Sequence, residues 1–276
     1  MSTVWTINFD QIVEVLDSGI RRADIFMGIG LNAAANNPPI SHVLSQAGPG
    51  IKLVKDELSE EEKVHVSHEF AKWIRANGFR ELTETFSIFL LRIYDVIYHV
   101  HLIYGDGTKI MPVARFERLG IADQIDQLQK FIPIPGERIE ILKSLNQARN
   151  CYAHRRGVVG ANDIEEASGS FDLKWLRLTY ELEEPDGTVL PEAEMFGRLL
   201  PKGGTVRMRI EIDRQIFSAG EELVVGKDEL KHICLCVHII GQGIAAETTK
   251  FALALGAKAI APTDKPPPKA ISHNDP

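Results

Sequence analysis

Arg149-Asn150-Cys151-Tyr152-Ala153-His154, followed by Arg155-Arg156-Gly157, is the stretch on which the chain turns from one kind of structure to another. It closes a segment that reads as a single helix, Gly136 to Arg156. Upstream of it, apolar residues recur at helical spacing; downstream they alternate. The same nine residues place a guanidinium, a carboxamide and an imidazole within about one and a half helical turns. Fold and chemistry are therefore read from one place.

Working outward, Asn8 to Leu31 has Phe9, Ile12, Val13, Leu16, Ile20 and Ala23 at helical spacing, and Asn36-Asn37-Pro38-Pro39 stops it. The Gly48-Pro49-Gly50 neighbourhood reads as loop. Ser59 before Glu60, Glu61 and Glu62 is an N-cap with acid in the first turn, and Asn77-Gly78 reads as the end of that helix. Phe79 to Tyr104 is more apolar, as expected of a helix central to a bundle or at a subunit interface. Gly105-Asp106-Gly107 ends it, Pro112 to Lys130 forms a fourth helix, and Pro133 and Pro135 separate that from the helix carrying the motif.

Past Gly157-Val158-Val159-Gly160 the period changes. Leu176, Leu178, Tyr180 and Leu182 alternate with Arg177, Thr179 and Glu181; Val206, Met208, Ile210 and Ile212 alternate with Arg207, Arg209, Glu211 and Asp213. Two strands follow from this, with Pro185-Asp186-Gly187 as a turn. Asp228 to Lys258 returns to helix. The expected organisation is mainly α: a helical bundle over 1–160, a small β-rich insert over 164–227, a last helix over 228–260 packing on the bundle, and a disordered tail over 262–276.

Composition narrows the function classes. Of 276 residues, 44% are hydrophobic and 25% charged, which is ordinary for a globular chain with a buried core. A formal net charge of −7 leaves no global electrostatic footprint for DNA, so a nucleic-acid contact needs a local basic cluster. Arg149, Arg155 and Arg156 form a small one. Three cysteines, an odd number, with no basic-then-apolar leader at the N-terminus, fit a reduced cytoplasmic protein. His232 to Ile260 is fairly apolar, yet His238, Gln242, Glu247 and Lys250 interrupt it, which argues for a core helix and against a membrane span.

On a helical wheel, Ile141, Leu145, Ala148 and Tyr152 make the core stripe. Asn150 and His154 lie about 40° apart on the opposite side, and Arg149 flanks the stripe. Arg149 and His154 are roughly 140° apart and about 7.5 Å apart along the axis, so one straight helix does not converge them on one phosphate. A two-fold dimer would, and so would unwinding near His154. Chemically the set suits RNA: imidazole titrates near neutrality, guanidinium binds a phosphate in a fork, and the 2′-hydroxyl supplies the nucleophile. A plainer role also fits, since basic residues commonly complement the C-terminus of a helix.

The run resembles the R-x4-H signature of the HEPN superfamily, small α-helical bundles of defence and toxin systems, matching at Arg149 and His154 with a polar residue, Asn150, after the arginine. The resemblance covers roughly residues 1–160, and the β-rich insert has no counterpart in the minimal bundle. It implies a metal-independent endoribonuclease, usually a homodimer and needing no cofactor, that leaves a 2′,3′-cyclic phosphate. Arg149 would bind phosphate, Asn150 would support it, and His154 would act as acid and base. Arg155 and Arg156 would add RNA contacts, and an antitoxin or other protein partner would be in keeping. Non-catalytic members of the family make a nucleotide- or protein-binding module the other expectation.

Other constellations are weaker. Asp95 and His99, four apart on an apolar helix, could form a buried acid–imidazole pair behind the site, though such pairs more often are satisfied core contacts. His65-Val66-Ser67-His68 lies on a charged helix face and reads as solvated, and neither H-E-x-x-H nor paired C-x-x-C is present to suggest zinc. Cys234 and Cys236 point to different sides of a helix. Gly28-Ile29-Gly30-Leu31-Asn32-Ala33 has dinucleotide-fingerprint spacing, but ends a helix instead of linking a strand to one.

Overall fold

The computed structural model describes residues 6–36, 57–106, 108–165, 168–195 and 203–258. In order these form α1 (Phe9–Ala35), α2 (Glu60–Tyr104), α3 (Val113–Phe116), α4 (Ile121–Leu128), α5 (Gly136–Arg155), β1 (Ser170–Glu183), β2 (Val189–Pro191), α6 (Glu192–Met195), β3 (Thr205–Ser218) and α7 (Lys227–Leu255). The chain is mainly helical, with one antiparallel sheet of strand order β2-β1-β3. The Gly48-Pro49-Gly50 loop and the 262–276 tail lie outside the described residues.

Local chemistry starts the long helices. Asn8 caps α1, its side chain accepting from the Gln11 N–H at 3.3 Å. Ser59 and Glu62 close a capping box on α2, which satisfies two otherwise orphaned donors. The expected break at Asn77-Gly78 does not occur: α2 runs unbroken through 45 residues. The cause is packing. A Cβ at Gly78 would meet the Met27 side chain of α1 at 2.1 Å, and one at Gly19 would meet Thr85 at 2.2 Å, so these glycines let α1 and α2 approach closely. Burial of Phe79, Leu82 and Phe86 just beyond outweighs the roughly 1 kcal/mol helix penalty of glycine. Gly30 does the same, with Ile74 lying against it. The Gly28–Ala33 run is thus the close-packed last part of α1.

The core is built around α2, where Phe89, Leu90, Ile93, Tyr94 and Ile97 are fully buried among α1, α5 and α7. The expected fourth helix is two short ones. Leu119 ends a turn, and Gly120, extended at φ −67° and ψ 160°, starts α4 afresh. Tyr94 stacks on Phe116 at 3.9 Å and donates to the Met111 carbonyl at 2.8 Å, pinning this segment to α2.

The sheet joins the same core. Phe171, Leu173 and Trp175 of β1 are buried against α5 and α7, and Ser144 of α5 accepts from the Lys174 N–H at 3.1 Å. This buried set has the opposite parity to the stripe read from sequence. Leu176 and Leu182 of that stripe are buried, whereas Leu178 and Tyr180 are only half-buried. On β3 the corresponding residues Val206, Met208, Ile210 and Ile212 are exposed. The reason is that β1 crosses the bundle with its first half and runs beyond it with its second.

Candidate functional site

The motif occupies the last turns of α5. Ile141, Leu145, Ala148 and Tyr152 are buried as the wheel requires, and Ile139, Leu142, Ser144 and Cys151 widen the buried face. Arg149 and Asn150 are half-buried, and His154 and Arg156 are exposed. The helix persists through Arg155, so it does not unwind ahead of His154. Arg156 is the cap, in left-handed conformation at φ 52°, and the only non-glycine at positive φ among the described residues. Gly157 follows at φ +74°, its N–H donating to the Cys151 carbonyl at 3.2 Å. A Cβ there would lie 2.9 Å from the Tyr152 ring, so glycine answers both the backbone angle and the close approach.

Two later segments fasten this end. Tyr152 donates its hydroxyl to the Leu223 carbonyl, Leu223 donates its N–H to the Gly157 carbonyl at 2.7 Å, and Val159 donates to the Glu221 carbonyl at 2.9 Å. Burial, the largest influence, pushes the Tyr152 phenol well above its usual range. From α2, Arg75 donates to the Val225 carbonyl at 2.8 Å, while His68 and Lys72 face Glu222 at 3.0 and 3.4 Å. Tyr152 also packs on Phe79, ring centroids 5.4 Å apart.

The second fastening is the loop that carries Asp163, a carboxylate only 2% exposed. Arg155 pairs with it in a two-pronged fashion, Nε to Oδ2 at 2.7 Å, and the Gly160 N–H donates to the same carboxylate at 2.9 Å. Gln147 reaches the Asp163 carbonyl. Burial first, then the Asp163 charge, raises the neighbouring Cys151 thiol to about 11, so it is a packed, neutral thiol.

These contacts sort the expected site residues. Arg155, expected to touch RNA, is held by Asp163 instead; a bidentate guanidinium–carboxylate pair at a buried carboxylate does not release for a ligand without leaving that carboxylate unpaired. The side chains of His154 and Arg156 remain solvent-facing, with no hydrogen bond or ion pair to other described residues. Arg149 donates to the Asn150 side-chain oxygen at 3.0 Å, so these two act as one unit on the outer face. Within a single chain, Arg149 and His154 stay on different sides of a straight helix, about 7.5 Å apart along its axis.

Asp95 and His99 do pair, at 3.3 Å between Oδ1 and Nδ1, with the ring also on the Asp95 carbonyl at 2.8 Å. They are not buried: the side chains are 46% and 41% exposed. Nor do they stand behind the motif. Tyr152 meets α2 at Phe79, and Asp95 lies 16 residues further along, about 24 Å by helical rise. Asp163, Lys72, Arg75 and Glu222 were missed by sequence reasoning. A Gly160-to-Asp163 spacing beside a basic helix end was the one readable sign of Asp163; Glu222 reaches α2 only through the tertiary fold.

Among the described residues no three His, Cys, Asp or Glu side chains gather closely enough to hold a metal ion. All three cysteines are free and buried. Comparison with protein-family models, curated proteins and solved structures finds no match to this chain.

Proposed function

We propose that this protein is a metal-independent endoribonuclease of the HEPN type, a toxin or defence protein of the cytoplasm acting as a homodimer on RNA. The observation that carries the reading is the division of labour at the end of α5. Arg155 and Tyr152 are consumed in holding the helix end, while Arg149, Asn150 and His154 are left on its outer side. A helix terminus fastened so heavily is a rigid platform, and a rigid platform is what positioned acid–base chemistry needs.

In this mechanism Arg149, oriented by Asn150, binds the scissile phosphate in a fork. The 2′-hydroxyl oxygen bonds to phosphorus as one His154 takes its proton, and the bond to the 5′-oxygen breaks as the other subunit's His154 returns a proton to the leaving group. The products are a 2′,3′-cyclic phosphate and a 5′-hydroxyl. Arg149 offsets the charge that builds on the phosphorane oxygens. Arg156, exposed beside His154, is the cation available to the flanking backbone. An antitoxin would act by covering this end of α5.

One observation favours a second reading. Arg149 is already hydrogen-bonded to Asn150 and diverges from His154 within the chain, which suits a module that binds a nucleotide or protein partner without cutting. RNA cleavage in EDTA by wild type, His154→Ala and Arg149→Ala separates the two. Cleavage by wild type alone supports the nuclease. Equal cleavage by all three rejects the site, and RNA retention without cleavage selects the binding module.

A further inference from the structure

The outer strand β3 is a long, regular edge. It pairs with β1 through 14 consecutive residues without a bulge, from Ser170 opposite Ser218 to Glu183 opposite Thr205. Among the described residues no strand pairs with its other side. From Thr205 to Ile216 it holds no proline and no lysine, and its five charged residues, Arg207, Arg209, Glu211, Asp213 and Arg214, are of both signs. Its even-numbered residues are apolar and open: Val206, Met208, Ile210 and Ile212 are each about half exposed or more.

The other face of the hairpin is finished. Arg209 pairs with Glu181 at 3.0 Å, Arg177 with Asp213 at 3.4 Å, and Arg207 with Glu183. One face is thus laced by ion pairs and solvated, and on the opposite face the β3 residues are apolar and exposed.

The order of residues on the edge identifies the occupant. Arg207-Met208-Arg209-Ile210-Glu211-Ile212-Asp213 is a charge palindrome of opposite sign about Ile210. Laid antiparallel on itself with Ile210 opposite Ile210, it sets Arg209 against Glu211 of the second copy and Arg207 against Asp213 of the second copy. Met208 then lies beside Ile212. A two-fold interface requires this self-complementarity, because every contact occurs twice with the roles exchanged. Opposite charges directly across an antiparallel pair stabilise it, and apolar pairs do the same on the other face.

We propose that β3 pairs antiparallel with β3 of a second copy, in register about Ile210, joining two three-stranded sheets into one of six strands. The inference does not rest on the ribonuclease reading. Ile210 lies eight residues before the end of β3 that leads to the motif, roughly 27 Å at strand rise. This axis therefore does not bring the two copies of His154 together, and the catalytic cleft requires a separate surface.

The test uses the full chain. Light scattering coupled to size exclusion should give for Ile210→Lys, whose folding is checked by circular dichroism, half the mass of the wild-type assembly. Ile210→Cys with oxidised glutathione should form a disulfide-linked dimer, whereas Val189→Cys, exposed on the opposite edge strand, should not; the native thiols are buried and give little background. A monomeric wild type at all accessible concentrations overturns the proposal. So does an assembly whose mass Ile210→Lys leaves unchanged, or an Ile210→Cys chain that fails to cross-link. RNA cleavage measured on the same Ile210→Lys sample reports on the active-site reading separately.

Discussion

The end of α5 and the far half of the β1–β3 hairpin are both rich in arginine and carboxylate, and they use them in opposite ways. At the end of α5 the charges are sunk: Asp163 is almost fully buried, takes two nitrogens of Arg155 and the Gly160 N–H, and ties a loop to the helix. On the hairpin the pairs lie in solvent, with Arg209 54% and Arg177 48% exposed, and such pairs contribute little stability. The difference shows where the fold is fixed and where it is open. The motif end is over-fastened, so a few side chains left outside the fastening can be held in constant position. The hairpin is fastened only where β1 crosses the core, and its outer edge is left to meet another surface.

The largest effect that would break this comparison is at His154. His154→Ala should slow RNA cleavage by about 10²–10⁴-fold, the usual share of a general acid–base, with the thermal midpoint unchanged because His154 is exposed. A large drop in stability would mean that the residue belongs to the fastening. Next is Asp163→Ala, which should destabilise the protein by about 3 kcal/mol in a urea titration, the lower end for breaking a buried pair because Arg155 keeps some solvent. Arg177→Ala on the hairpin should change it by less than about 1 kcal/mol. Equal losses at both places would remove the distinction.

Smaller still is Arg156→Gly. Relieving a left-handed arginine should raise stability by about 1 kcal/mol, while removing an exposed cation should lessen the salt dependence of RNA binding. The last is a pH effect. Burial raises the Cys234 and Cys236 thiols to about 12 and Cys151 to about 11, against 9.0 for a free thiol. Above pH 9 the unfolded chain loses these protons while the folded chain keeps them, so stability should fall as pH rises from about 9 toward 11. Serine at Cys234 and Cys236 should flatten that slope in a denaturant series.

Much of this was legible in the sequence. The caps at Asn8 and Ser59, the core stripe of α5, both long strands and the last helix are local patterns, and periodicity reports them. What was not legible depended on partners distant in sequence. Asn77-Gly78 has the chemistry of a helix end, and only Met27 lying against Gly78 explains why α2 continues. Alternation on β1 gave the strand but not its buried face, because the parity changes where the strand leaves the bundle. At the site, the wheel set His154 opposite the core stripe, where it is exposed, and Arg149 on the flank, where it is half-buried. It could not see that Arg155 had a carboxylate waiting eight residues on.

The outward side chains of α5 are proposed to cut RNA through its own 2′-hydroxyl. The most direct measurement is the chemistry of the cut ends, read by mass spectrometry after incubating RNA with the protein in EDTA. Wild type should leave 2′,3′-cyclic phosphate and 5′-hydroxyl ends, and neither His154→Ala nor RNA carrying a 2′-deoxy residue at the cut position should give any. Ends of any other kind, or identical products from His154→Ala, would contradict it.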